Sequence, residues 1–138
     1  MNLLVNFTLL LAAAAGSPTQ VSVETAVGDW SSLPSLEERV NEHLNTKAMA
    51  RLHAIARQGE CRLPGYAKGN LVMRLSFAVQ YDPAGSLQRI LIPKLDCPEA
   101  EGIIGGTLLS MMKGGDYRPT GKSPEGWYQG QLNFTFEG

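Results

Sequence analysis

The sequence predicts an α+β domain in which a three-stranded antiparallel sheet packs on one helix in the order β-β-α-β, after an extra N-terminal helical region. Three observations support this prediction. Apolar and polar residues alternate through residues 71–81 and again through residues 127–136, which is the period of a half-buried strand. Between these two stretches, residues 96–113 combine a helix-capping pattern with an apolar stripe at helical spacing.

The length and composition are those of one globular domain. The chain has 138 residues, of which 43% are hydrophobic and 18% are charged. Those proportions are typical of folded domains and not of disordered chains. The formal net charge of -1 gives no global reason to expect a nucleic-acid partner. We therefore expect residues 34–138 to form a single domain that binds no nucleic acid.

The beginning of the chain is typical of a secretory signal. Residues 3–15 are almost entirely apolar and end in a run of alanines, as the core and cleavage site of a signal require. A membrane-spanning helix would need about 20 apolar residues. No Lys or Arg precedes Arg39, so a buried N-terminal segment is the alternative. We expect a signal at residues 1–15, a linker or arm at residues 16–33 that Trp30 anchors, a periplasmic or secreted location, and no stable membrane span.

Two cysteines, Cys61 and Cys97, agree with export. An even pair in a small exported domain is most simply a disulfide, whereas two free thiols would be expected in a reducing cytosol. Neither cysteine belongs to a Cys-x-x-Cys pair, and His43 and His53 are too far apart in the sequence for a ligand motif. We expect a Cys61–Cys97 disulfide and no metal site.

Residues 34–58 are predicted to be helical. Ser35 and Glu38 have the spacing of a capping box, and apolar residues then recur every three or four positions. Thr46 is an alternative N-cap that would divide the stretch into two helices. Gly59 is a natural stop.

A β-hairpin is predicted next. The strand at residues 71–81 leads into a turn that contains Pro83 and Gly85, because Pro fixes one φ and Gly accepts a positive one. Residues 86–92 form the returning strand. Pro93 either ends this strand or places it at an edge, since it has no N–H to donate.

A helix and a final strand complete the β-β-α-β unit at residues 70–137. Asp96 is predicted as the N-cap of the helix, with Glu99 completing a capping box. Gly105 and Gly106 would weaken the helix by about 1 kcal/mol each relative to Ala, which is tolerated where a backbone packs closely and, less often, where a ligand does. In the final strand, five residues share the face opposite the apolar one: Trp127, Gln129, Gln131, Asn133 and Thr135.

The order of these elements resembles the C-terminal domain of TonB-type energy transducers. The likeness consists of Gly69 before the alternating strand, the turn at residues 82–87, the Tyr-Arg-Pro motif at residues 117–119 and the closing strand at residues 132–136. The resemblance covers about half of the chain, residues 69–137. It implies a periplasmic domain that binds a short peptide of an outer-membrane receptor by β-augmentation on its last strand. Because the expected linker is too short to cross the periplasm, we expect a stand-alone exported relative of that domain.

The predicted function is recognition of a protein segment without catalysis. No Gly-x-Ser-x-Gly, His-Glu-x-x-His or P-loop motif is present, so we expect no enzyme and no cofactor. The expected partner is an unidentified outer-membrane or secreted protein. The alternative is an inhibitor or immunity-type protein that blocks an exported enzyme or toxin through its loops. The residues predicted to bind the partner are those of the polar strand face: Trp127, Gln129, Gln131, Asn133 and Thr135.

Overall fold

Two helices cover one face of a mixed β-sheet, which confirms the predicted α+β class. The computed structural model describes residues 20–38, 46–121 and 125–137. The predicted signal at residues 1–15 and His43 lie outside the described residues. In chain order the elements are β1 (Ser22–Ala26), β2 (Leu36–Glu38), α1 (Thr46–Arg57), β3 (Tyr66–Ala67), β4 (Asn70–Tyr81), β5 (Leu87–Pro93), α2 (Pro98–Lys113), β6 (Tyr117–Pro119) and β7 (Gly126–Glu137).

The longest strands, β4 and β7, form the centre of the main sheet. They pair antiparallel over their full length without a register shift, from Asn70↔Glu137 to Tyr81↔Gly126. On its other side β4 pairs antiparallel with β5 and with the short β3. The predicted hairpin and closing strand are therefore confirmed. A separate two-stranded sheet pairs β2 with β6.

The predicted three-stranded antiparallel sheet is wrong, because the main sheet has five strands and is mixed. Residues 22–26, expected in a linker or arm, form β1 and pair parallel to β5. This pairing satisfies the backbone groups on the outer side of β5, which would otherwise be left at a sheet edge. The last pair of the ladder is Ala26↔Pro93, so β1 and β5 end together.

The predicted helix at residues 34–58 is wrong at its beginning. Leu36–Glu38 is the strand β2, which pairs antiparallel with β6. A local capping pattern is a weak signal that long-range strand pairing can override. Helix α1 is described from Thr46, and it ends near Gly59, which has a positive φ of 72°. The predicted stop at Gly59 is confirmed.

The predicted N-cap of the second helix is also wrong. Cys97 occupies the N-cap position of α2 without a side-chain capping bond, and Pro98 follows at the first turn, where Pro is favoured. Asp96 instead has a positive φ of 55°. The Oε2 atom of Glu101 accepts the Leu95 N–H at 2.7 Å, so the first turn of the helix binds the incoming chain.

The core lies between the helices and the sheet face that they cover. The odd-numbered positions of β4 from Leu71 to Tyr81 are buried, as the alternation predicts. Helix residues such as Leu52 and Leu108 pack against them. We call the opposite side of the sheet the open face, which in β4 and β7 presents Val72, Arg74, Ser76, Gln131, Asn133 and Thr135.

The predicted disulfide between Cys61 and Cys97 is confirmed. Its cysteines are separated by 36 residues, with Cα atoms 5.8 Å apart. The bond connects the loop after α1 to the start of α2. Because both helices cover the same face of the sheet, it fixes the two halves of the helical layer to each other.

The two mid-helix glycines, Gly105 and Gly106, have different surroundings. A Cβ at Gly105 would lie 2.7 Å from the Cγ1 atom of Val23 in β1, whereas at Gly106 it would meet nothing within 4 Å. We expect Gly106→Ala to raise the free energy of unfolding by up to about 1 kcal/mol, because Ala is the better helix former. Gly105→Ala should not raise the free energy of unfolding in this way, because its Cβ would force Val23 to move. Urea unfolding of both variants tests this, and equal gains would contradict the close packing of β1 on α2.

Candidate protein-binding edge

The side chains of β7 alternate as the sequence predicts. Tyr128, Leu132 and Phe134 are buried against the helical layer, and Asn133 and Thr135 are exposed on the open face. Since β7 pairs with β4 on one side only, its other side is an outer edge of the main sheet.

Along β7, residues whose backbone N–H and C=O groups face β4 alternate with residues whose groups point away from β4. The N–H of Gln129 donates to the carbonyl of Pro34 at 2.9 Å, on the side away from β4. The register with β4 is unbroken along β7, so the pattern repeats every two residues. The backbone groups of Gln131, Asn133 and Thr135 therefore also point outward.

The chain itself covers the first half of this edge. Gln129 forms a parallel bridge with Ser35, and its side-chain Nε2 donates to the carbonyls of Ser31 at 3.1 Å and of Leu33 at 3.0 Å. We call residues 31–35 the docked segment. One glutamine thus holds an extended stretch of chain against β7 with both its backbone and its side chain.

The second half of the edge, residues 131–137, has no strand paired to its outer side in the part of the chain that the structure describes. The hydroxyl of Tyr117 makes a long contact of 3.5 Å with the carbonyl of Gln131. Burial raises the pKa of Tyr117 to about 12, and the negative charges of Glu38 and Asp116 add to the shift. The hydroxyl therefore stays protonated at neutral pH and acts as the donor.

β7 has none of the features that keep an exposed sheet edge from pairing with another strand. Natural proteins protect exposed edges with Lys, Pro, bulges or short strands. The strand from Gly126 to Glu137 contains no Pro, Lys or Arg, and its pairing with β4 has no register shift. Its one charged residue is Glu137.

The five residues predicted to bind a partner share the open face of β7, but two of them have partners within the chain. The guanidinium of Arg89 lies 5.4 Å from the ring centroid of Trp127 and also binds Glu24 at 2.6 Å. The hydrogen bond from Arg89 lowers the pKa of the Glu24 carboxyl. Gln129 binds the docked segment. The exposed residues of the five are Gln131, Asn133 and Thr135, and their role in binding stays a prediction.

A buried histidine supports the far end of β7 from the helical side. His53 is 6% exposed, and its Nε2 atom lies 2.6 Å from the carbonyl oxygen of Gly69. Its ring packs against those of Phe136 and Tyr66, with centroids 4.9 and 5.8 Å away. These contacts hold the end of β7 against the hairpin of β3 and β4.

Two further points concern metal binding and membrane insertion of residues 20–38, 46–121 and 125–137, the part of the chain that the structure describes. No three His, Cys, Asp or Glu side chains lie together there as a metal site would require. None of the helices there has the length and apolar character needed to cross a membrane.

No family model, curated protein or solved structure matches the chain. The resemblance to TonB-type domains therefore stays a prediction.

Sequence reasoning missed the docked segment. A capping-box pattern at Ser35 indicated a helix instead, and the bonds from Gln129 join residues more than ninety positions apart. No local pattern reports such contacts.

Proposed function

We propose that this chain is an exported protein-binding module that takes up an extended segment of a partner protein along the outer edge of β7, residues 131–137. Binding of this kind is β-augmentation, in which the partner adds a strand to the sheet. It requires no catalytic group and no cofactor. The exported location rests on residues 1–15, which are not described, and the expected partner is an outer-membrane or secreted protein.

One observation supports the proposal above the others. The same edge already accepts an extended segment at Gln129, where the chain's own residues 33–35 lie against it. The backbone geometry continues without a break into residues 131–137. Each new backbone hydrogen bond would contribute about 0.5–1.5 kcal/mol, so a few alternate residues suffice for measurable binding.

The side chains beside the edge indicate what kind of segment fits. On the open face the partner strand would lie next to Asn133 and Thr135, and on the helical side next to the half-buried Phe136. Neighbouring side chains on one face of a sheet contact each other across strands. We therefore expect a segment in which polar and apolar residues alternate.

Proline at Asn133 tests the proposal. The Asn133 N–H points away from β4, so Asn133→Pro removes an edge donor without breaking the ladder between β4 and β7. Against peptides selected from a random phage library on the wild-type protein, we expect Asn133→Pro to weaken binding about tenfold, the loss of one hydrogen bond at the upper end of that range. Asn133→Ala, the matched control, should weaken it less than about threefold, since it retains the backbone N–H.

Isothermal titration calorimetry gives both affinities, and thermal unfolding shows whether each variant is folded. Unchanged binding by Asn133→Pro would contradict the proposal. Equal losses in the proline and alanine variants would mean that the side chain of Asn133, and not the edge backbone, binds the peptide.

A further inference from the structure

A second surface lies where the main sheet is interrupted. On the side of β4 that faces β5, pairing with β5 ends at Ala78↔Leu91, and pairing with β3 reaches only Leu71. Between these positions no strand of the described residues pairs with this side of β4. The gap lies at Arg74 and Ser76.

The gap arises where two strands end together. Pro93 is the last residue of β5 and has no N–H, and β1 ends beside it at Ala26. After Ala26 the chain runs to Gln129 of β7, whose side chain binds Ser31 on the open face. Because β4 lies between β5 and β7, residues 27–31 must cross β4 on that face.

Residues 27–31, which we call the crossing residues, hold Trp30 in place beside the gap. The N–H of Ser31 donates to Oδ1 of Asp29 at 3.0 Å, and the N–H of Leu33 donates to the carbonyl of Trp30 at 3.0 Å. A Cβ at Gly28 would lie 3.2 Å from Nε1 of the Trp30 indole, so the backbone passes close to the ring. Trp30 is half-buried and lines a cleft over the gap.

The cleft has a volume of about 420 Å³, which is within the range of small-ligand sites. It is lined by β4 at the gap, by residues 27–31 and by the end of β5 with the residues that follow it. Its lining residues include Gly28, Asp29, Trp30, Arg74, Ser76 and Lys94.

The charges of the cleft favour an anion. The Arg74 guanidinium is exposed on the open face and makes no ion pair with the described residues. Lys94 is 3.7 Å from Asp96, but their side chains are 59% and 84% exposed, so this pair is weak. Asp29 is the one carboxylate among the lining residues, and its Oδ1 atom accepts the Ser31 N–H. Two lining cations and one anion leave a net charge of +1.

At the gap, backbone groups of β4 point away from β7. The N–H of Val72 donates away from β7, to the carbonyl of Gly65 at 3.0 Å. Strand alternation then directs the N–H and C=O groups of Arg74 and Ser76 to the same side, into the gap. An extended peptide can pair with such groups, and a carboxylate can accept charge-assisted bonds from Arg74.

We propose that this cleft binds the carboxyl-terminal residues of a peptide, with the terminal carboxylate against Arg74 and Lys94 and an apolar side chain against Trp30. The main chain of the peptide fills the gap in the sheet beside Arg74 and Ser76. No lining residue of the cleft belongs to β7, so this site is independent of the proposed binding edge.

Fluorescence titration in a Trp127→Phe background tests the proposal, because Trp30 is then the only tryptophan. The probes are acetyl-Ala-Val-Leu with a free carboxylate, the same tripeptide as its carboxamide, and 4-methylpentanoate as a simple acid. We expect the tripeptide acid to bind with a Kd below about 1 mM and the other two probes to bind at least about tenfold more weakly.

Arg74→Gln should weaken binding of the tripeptide acid at least about tenfold, whereas Arg57→Gln, at the exposed end of α1, should leave it unchanged. Circular dichroism checks whether both variants are folded. Equal binding of acid and carboxamide would overturn the carboxylate assignment. Equal binding of 4-methylpentanoate and the tripeptide would overturn the peptide assignment. Equal effects of the two Arg variants, or no response to the tripeptide acid at about 10 mM, would overturn the site.

Discussion

Replacing Cys61 and Cys97 together by alanine is expected to lower the free energy of unfolding by about 3–4 kcal/mol. The bond closes a loop with a sequence separation of 36, which restricts the unfolded chain. In the folded state it connects the loop after α1 to the start of α2, and Cys97 is fully buried. A loss of this size is a large fraction of the stability of a small domain.

Urea unfolding at equilibrium measures the effect. Wild-type protein reduced with excess dithiothreitol should unfold at the same urea concentration as the double alanine variant, because both lack the bond. A loss below about 1 kcal/mol would mean that the segment between the two cysteines is already restricted in the unfolded chain without the disulfide.

Alanine at Gly130, in the middle of β7, is expected to cost about 2–3 kcal/mol. Gly130 lies directly opposite Phe77 in the ladder with β4. A Cβ at Gly130 would lie 2.4 Å from the Cζ atom of the Phe77 ring. Phe77 is fully buried, so its ring has little room to move aside.

A double-mutant cycle identifies the clash. Phe77→Leu shortens the side chain that reaches over Gly130, so Gly130→Ala should cost at least about 1 kcal/mol less in that background. Chemical unfolding of the four proteins gives the coupling free energy. Additive effects would show that the cost arises elsewhere in the strand and not from the Phe77 ring.

The elements that the sequence predicts well are those with strong local patterns. The alternation in β4 and β7 follows from burial of one strand face, and Pro83 and Gly85 specify the turn between β4 and β5. The apolar positions of α2 likewise predict its buried face, including Ile104 and Leu108. In each case neighbouring residues contain the whole signal.

The elements that the sequence does not predict depend on distant pairing. β1 is short and mostly exposed, and its place in the sheet follows from the open side of β5. β2 has a helix-like sequence at its beginning but pairs with β6, about eighty residues further along the chain. At the start of α2, the disulfide cysteine takes the position that a capping pattern assigns to Asp96.

The candidate site also combines features that local sequence patterns predict with features that they do not predict. Strand alternation predicts that Gln131, Asn133 and Thr135 share an exposed face, and the structure places them there. The sequence does not predict that Gln129 holds the docked segment or that Trp30 lines a cleft over β4. Both features depend on residues 27–31 crossing the open face and on residues 31–35 lying against the edge of β7, which no local pattern encodes.

Amide hydrogen exchange of β7 tests the central claim most directly. With a selected peptide bound, the outward N–H groups of Asn133 and Thr135 gain partners, so their exchange should slow at least about tenfold. The N–H groups of Leu132 and Phe134 already point toward β4, so their exchange rates should change little. Two-dimensional NMR of the protein with and without peptide gives these rates residue by residue. Unchanged exchange at Asn133 and Thr135, with protection at other surfaces, would contradict the claim that the partner adds a strand to β7.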